Sequence, residues 1–395
     1  MTGSYLKRRS ASVLPRRNKT WRVVRGSILA SLLGGLVAAT PALAHVKWFA
    51  PYVVGNAPAP ITDTLANGWF WLGILLVLAF FCTAVVVERS ALGTRTSGLL
   101  DRATASLWRR GDDFMRAIIG AFFVTIFAVG GVYLTPDLQT PNEWVSWLQL
   151  LIALLVFSRR TMPLAAAGII GLWVIALRDY DFFHLLDYLA LGVGVAGYLA
   201  LASNPEANWY KHRFTVLRWG VAIALMWSSL EKFAYAEWFY PLVEERPFLT
   251  FGMPRDTFIP MAGVAEFSMG FGLLWTALIR RLSAIALIII FTAAVYPFGR
   301  IDLVGHALIM GTLFLIAADP TPSGLRLPKL APAVGSVPAG LLGAIVIIAG
   351  AYWGLHATFY DYEPRVAPVG ADGELLTHIP NAEHPHGAIP APVTE

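Results

Sequence analysis

With one cysteine in 395 residues, the chain can form neither an internal disulfide nor a dithiol redox pair. That residue, Cys82, lies within the apolar run GWFWLGILLVLAFFCTAVVV and reads as a small buried hydrophobe. Charge is scarce too, at 14% Asp, Glu, Lys and Arg, which is little for the surface of a water-soluble protein. Phosphate-binding glycine loops, Gly-x-Ser-x-Gly elbows, CxxC pairs and the His-Glu-x-x-His metal signature are all missing. Soluble nucleotide or hydrolase chemistry therefore has no support. The net charge of +5 does not argue for nucleic acid. Lys7, Arg8, Arg9, Arg16, Arg17, Lys19, Arg22 and Arg25 precede the first apolar run, as membrane topology requires.

What the chain has in excess is apolar length. Hydrophobic residues make up 56% and the mean hydropathy is +0.60, the composition of an integral membrane protein. Ile28 to Ala44 is an apolar run ending Pro41-Ala42-Leu43-Ala44, either a signal peptide cleaved before His45 or an uncleaved first span. The pair Arg8-Arg9 is separated from this run by further basic residues, so it is not read as a twin-arginine signal. About ten further spans are expected on hydropathy. They cover roughly 68–88, 114–134, 144–158, 162–177, 182–202, 214–234, 257–279, 282–298, 302–318 and 338–356. Alternation places Arg89 to Arg110, Arg159-Arg160, Lys211 to Arg213, Arg280-Arg281 and Arg326 to Lys329 inside. The loop Glu237 to Asp256 and the C-terminal tail then face outward. A bacterial inner (plasma) membrane location is expected, with a cytoplasmic N-terminus before any cleavage and a periplasmic tail.

An internal repeat is visible. The stretch from Ser158 to Leu191 matches that from Ile279 to Met310: an Arg-Arg pair, an apolar span, an Arg-then-Asp turn and a helix with an early histidine. An even number of spans per unit makes the two copies parallel. The expected fold is all-α, a polytopic transmembrane helical bundle of two parallel four-helix repeats plus flanking helices. Its expected segments are a basic N-terminus with signal peptide or first span (1–44), then an outward segment, one span and a basic cytoplasmic loop (45–113). The first repeat (114–205) and second repeat (206–320) follow, then a linker with the last span (321–357) and an outward tail with histidines (358–395).

Over 218–320 the chain resembles the DoxX/DoxD-like family of four-span membrane proteins. The resemblance is carried by Arg218-Trp219-Gly220, Leu230-Glu231-Lys232-Phe233, Gly263-Val264-Ala265-Glu266-Phe267, Arg280-Arg281 and Asp302. The 114–205 half joins it only through the repeat. The family implies association with thiosulfate:quinone oxidoreduction and membrane redox complexes. Two units, extra helices at both ends, a long outward loop and a histidine-bearing tail set this chain apart from the family pattern.

Charged residues in apolar helices cost several kcal/mol each without a partner, so they mark function or packing. Glu231, Lys232, Glu266, Asp302 and His306 all fall in the outer half of the expected membrane, as do Asp181, His184 and Asp187. Asp302 and His306 are four apart, and His184 and Asp187 three apart, so each pair shares a helix face. Three roles stay open. Glu231, Lys232, Glu266, Asp302 and His306 form a catalytic set for quinone, with Glu266 and His306 moving protons for a membrane or periplasmic redox partner. Alternatively, His45, His184, Asp187 and His306 offer ligands to copper or another transition metal, and a mature N-terminal His45 would add its amine. Four outward histidines, His356, His378, His384 and His386, extend that reading. Lastly, Glu266–Lys232 and Asp302–His306 pairs would serve only to hold helices together in the lipid bilayer. Trp238 and Tyr240 are expected in an interfacial aromatic belt, and the rest of their loop as a lid or docking face.

Overall fold

The computed structural model of the protein describes Lys47 and residues 52–53, 56–322, 335–360 and 377–378. His45, His384, His386 and Arg326 to Lys329 lie outside the described residues. The described chain is helical apart from a two-residue antiparallel ladder, β1 (Tyr52–Val53) against β2 (Thr377–His378), and an isolated bridge between Val132 and Gln139.

The helices begin where capping chemistry permits. A short α1 (Ile61–Ala66) leads to α2 (Gly68–Glu88), where the Asn67 side chain accepts from the Trp69 and Phe70 amides. Ser90 does the same for α3 (Ala91–Arg109), accepting from Leu92 and Gly93. This helix occupies what hydropathy reads as a basic loop. Its composition is too polar to register as a span, but Ser97, Asp101, Thr104 and Trp108 recur at helical spacing on one face.

Next come α4 (Gly111–Val129), α5 (Glu143–Leu155), α6 (Met162–Ala176) and α7 (Phe182–Ala202), the last capped by Asp181 on the His184 amide. Then α8 (Arg213–Ser229) yields after Leu230 to one further turn, α9 (Glu231–Ala234). The loop beyond it is folded into a 3-10 turn (Ala236–Phe239), α10 (Tyr240–Glu245) and a second 3-10 turn (Pro247–Thr250). The chain continues through α11 (Arg255–Gly272), α12 (Ala277–Ala318) and α13 (Ser336–Phe359). Within α12 the path breaks at Gly299, whose φ of 71° and ψ of −155° suit only glycine.

Four helices, α2, α7, α12 and α13, are long and apolar enough to cross a membrane, with α2 reaching a mean hydropathy of 2.7. Leu75, Leu76, Val346 and Ile347 on two of them are exposed, as lipid-facing side chains would be. The chain is therefore read as a membrane protein. Two apolar clusters form the interior. One draws on α4 to α7, and the other on α2 and α8 to α13. They meet where α7 crosses α8 at backbone contact. A Cβ on Gly194 would lie 2.8 Å from Gly220 Cα, and one on Gly220 would lie 2.7 Å from Ala190 O. That approach sets Asp187 on α7 beside Trp227 on α8, with an indole Nε1–Oδ1 distance of 2.8 Å.

Candidate functional site: a charged cavity between the helices

A cavity of about 110 Å³ lies between α4, α7, α8–α9, α11 and the second half of α12. Glu231, Lys232, Glu266 and His306 all line it, together with Asp187, Tyr188, Ser228 and Thr135. The rest of its wall is apolar, with Phe122, Leu191, Val195, Leu225, Phe291 and Leu308. The geometry thus gathers onto one void four of the five residues expected to carry catalysis. Asp302, wholly buried on the turn before His306, stands behind it, with its Oδ1 3.1 Å from His306 Nδ1.

Each charge is desolvated and most are matched. Lys232 donates to Glu266 Oε2 at 2.6 Å. Glu231, 1% exposed, has Oε1 2.7 Å from the Lys47 ammonium, which also donates to Asp187. Burial works against the Lys47 charge, but Asp187 and Glu231 outweigh it and raise its pKa, so the ammonium persists. Two lysines, Lys47 and Lys232, thus face three carboxyl groups, those of Asp187, Glu231 and Glu266. Glu266 Oε1 and Asp302 Oδ2 are buried without a hydrogen-bond donor. The pocket lining is therefore mostly apolar, with acceptors and ammonium donors set into it.

Several of these parts escape a reading of the sequence. Lys47 is the clearest. It is a single cation in the aromatic stretch His45-Val46-Lys47-Trp48-Phe49, and it pairs across 140 residues with Asp187. The segment after α4 is another. Residues 132–138 pack into the protein, burying Tyr133, Leu134 and Leu138, and Gln149 Nε2 donates to the Val132 carbonyl at 2.6 Å. Thr135 and Leu134 thereby reach the cavity, and buried Asp137 accepts from the hydroxyls of Thr135 and Tyr188.

Other expectations are corrected. Trp238 is 8% exposed and stacked on Tyr235 with ring centroids 4.0 Å apart, so it belongs to the interior and not to an interfacial belt. Its neighbour Phe239 lines the cavity, making that turn part of the wall. His356 is 1% exposed, with Nε2 3.1 Å from Asn56 O, and is no part of an outward metal-collecting tail. Of the metal set His45, His184, Asp187 and His306, the three described members do not come together as a ligand group. Asp187 is engaged by Lys47 and Trp227, while His184 faces Asp137 at 3.8 Å. Among the described residues no three His, Cys, Asp or Glu side chains converge on a point; His45 lies outside them.

Compared with known proteins, the chain matches no family model, no curated protein and no solved structure. The class that the helices and the cavity define is a helical membrane protein with a charged internal pocket.

Proposed function

We propose that the cavity is a quinone-class site and that the protein is a membrane component exchanging quinone or quinol with a redox partner. The observation that carries this reading is the convergence of Glu231, Lys232, Glu266 and His306 on one void whose lining is otherwise mostly apolar. A quinone ring presents two carbonyl acceptors, which Lys232 and His306 are placed to address. A quinol presents hydroxyl donors, which the unpaired Glu266 Oε1 would accept. Interconversion moves two protons and two electrons. Glu266 and the His306–Asp302 pair supply or remove protons, and the electrons pass to or from the partner oxidoreductase. In this reading the chain is a DoxX-like protein of the plasma membrane. Its two apolar clusters represent two parallel four-helix units, and the cavity opens toward the outer side.

The test is binding of a short-chain quinone to the purified full-length protein, followed by photo-crosslinking or by quenching of tryptophan fluorescence. Glu266→Gln and His306→Asn are expected to weaken binding at least tenfold while thermal stability stays within a few degrees. Failure of the wild-type protein to bind quinone, or equal binding by both variants, would overturn the proposal. Copper bound stoichiometrically by the wild type and abolished by His306→Asn would favour the metal reading instead.

A further inference from the structure

The face of α3 turned away from the bundle carries cations that no described acid answers. Arg95, Arg102 and Arg109 on the helix, and Arg89 and Arg110 flanking it, are all exposed, and none is paired with a carboxylate among the described residues. The two acids of the stretch are engaged by α12 instead. Glu88 Oε1 accepts from the Leu278 amide at 3.0 Å, and Asp101 Oδ1 lies 2.7 Å from Arg281 Nη2. An exposed helix in water normally intersperses both signs. Here both acids are taken up by α12, and the exposed arginines are left unmatched among the described residues.

The helix is held so that it cannot roll that face away. Arg281 donates to Ser97 O at 3.5 Å, Thr104 Oγ1 donates to Ala318 O at 3.5 Å, and the Trp108 ring sits 5.2 Å from Phe214. Ser97, Asp101, Thr104 and Trp108 therefore define the face that contacts the bundle. Arg95, Arg102 and Arg109, spaced by sevens, stack on the opposite one. Leu92 and Leu99 emerge among these arginines, 39% and 60% exposed. An apolar row flanked by long cationic stems is the pattern of a helix lying in a bilayer interface, with leucines dipping toward acyl chains and guanidinium groups at headgroup level.

Position agrees with pattern. Only Arg89 and Ser90 separate the helix from the end of α2, and the elbow is tight, for a Cβ on Gly93 would lie 2.2 Å from Val87 O. It is thus folded back directly onto the end of a 21-residue apolar helix, at the level where hydrocarbon gives way to headgroups. Guanidinium groups match phosphodiester oxygens two bonds at a time, which zwitterionic headgroups offer only with a competing cation attached.

We infer that the outer face of α3 is a docking surface for anionic phospholipids of the leaflet in which α2 ends, with Arg95, Arg102 and Arg109 as its headgroup contacts. This surface is separate from the cavity and does not depend on the quinone reading. Each arginine near an anionic leaflet contributes about fivefold in partition.

Native mass spectrometry of the full-length protein, released from mild detergent supplemented with equal phosphatidylglycerol and phosphatidylcholine, reads the preference directly. The wild-type protein is expected to retain phosphatidylglycerol over phosphatidylcholine, and the triple variant R95Q/R102Q/R109Q to lose that preference by at least tenfold. Inorganic phosphate at about 20 mM should leave the lipid adducts in place, since the leucine row gives a free anion no purchase. Because these arginines hold nothing together inside the protein, the triple variant should melt with the wild type. Should it not, the single variant R102Q is read instead, with about a fivefold loss. Equal retention of the two lipids by the wild type, an undiminished preference in the variants, or displacement of lipid by phosphate alone would each overturn the inference.

Discussion

Lys47 shows how much one side chain can decide inside a low-dielectric interior. Its ammonium lies between Asp187 and Glu231, two carboxylates from different helices that would otherwise be buried facing each other. Lys47→Met should destabilise the protein by about 3–5 kcal/mol, because it leaves both acids without their cation. Adding Glu231→Gln should recover part of that loss. Thermal unfolding of the two variants in mild detergent checks both statements; a silent Lys47→Met would mean that the lysine is not seated there. Gly192 makes the opposite case. It borders the cavity, and a Cβ there would meet nothing nearer than Ile169 Cγ2 at 4.0 Å. Gly192→Leu should therefore be tolerated, gaining about 0.5–1 kcal/mol of helix propensity while filling the void. The expected result is a protein that melts no lower than wild type but binds quinone at least tenfold more weakly.

Among the elements, the broken helix α12 does the most to place the site. Gly299 turns the chain so that Arg300 to Ala318 starts a new helix, and the first turns of that helix carry Asp302 and His306. At φ 71° and ψ −155° a Cβ is strained even though there is space for it. Gly299→Ala should cost about 1–3 kcal/mol, and the loss should appear as altered quinone affinity as well as a lower melting temperature. Equal affinity at a lower melting point would detach the break from the site. This break was legible, since Pro297 and Gly299 punctuate an otherwise continuous apolar run. So was the convergence of Glu231, Lys232, Glu266 and His306, because charges in apolar helices are rare enough to stand out. The existence of α3 was not legible, for its mixed composition reads as loop until its partners on α12 are known. Nor was the role of Arg280 and Arg281. They read as a hinge between spans, but they are 0% and 2% exposed and donate to the carbonyls of Ala318 and Asp319 at the end of α12. Capping the end of that helix from its own first turn is a long-range arrangement that no local pattern announces.

Across the whole molecule, charge is organised at two levels joined by apolar packing. Near the cavity, Lys47, Asn56 and Ala59 bond to the helices. Asn56 O accepts from Tyr235 Oη at 3.1 Å, and Ala59 O from Trp353 Nε1 at 3.0 Å, so residues far apart in sequence are tied together. A second clamp joins the start of α4 to the start of α8. Arg213 grips Asp112 with Nε at 2.7 Å and Nη2 at 2.9 Å, and the Tyr210 hydroxyl adds a bond of 2.6 Å. The two clamps should answer pH differently. Burial pushes the Asp112 carboxyl up, but the bonds from Arg213, Tyr210 and Tyr198 together outweigh it and hold it below the usual carboxylate range. A depressed carboxylate contributes stability that is present above its unfolded value, near 3.9, and is lost as pH falls through its folded value. The Lys47 ammonium, raised above its unfolded value, contributes stability that is fully present below about 10.4. Between pH 7 and 3, then, the Asp112 clamp loosens while the Lys47 ammonium stays charged. Asp112→Asn should lower stability at pH 7 by about 1–3 kcal/mol, and this gap from wild type should narrow as pH approaches 3. Melting curves of the two proteins at pH 7, 5, 4 and 3 give the answer. A gap constant across that range would place the weight of this clamp on the stacking of Arg213 over Tyr210 and Phe214, at 3.8 and 4.2 Å, and not on the carboxylate.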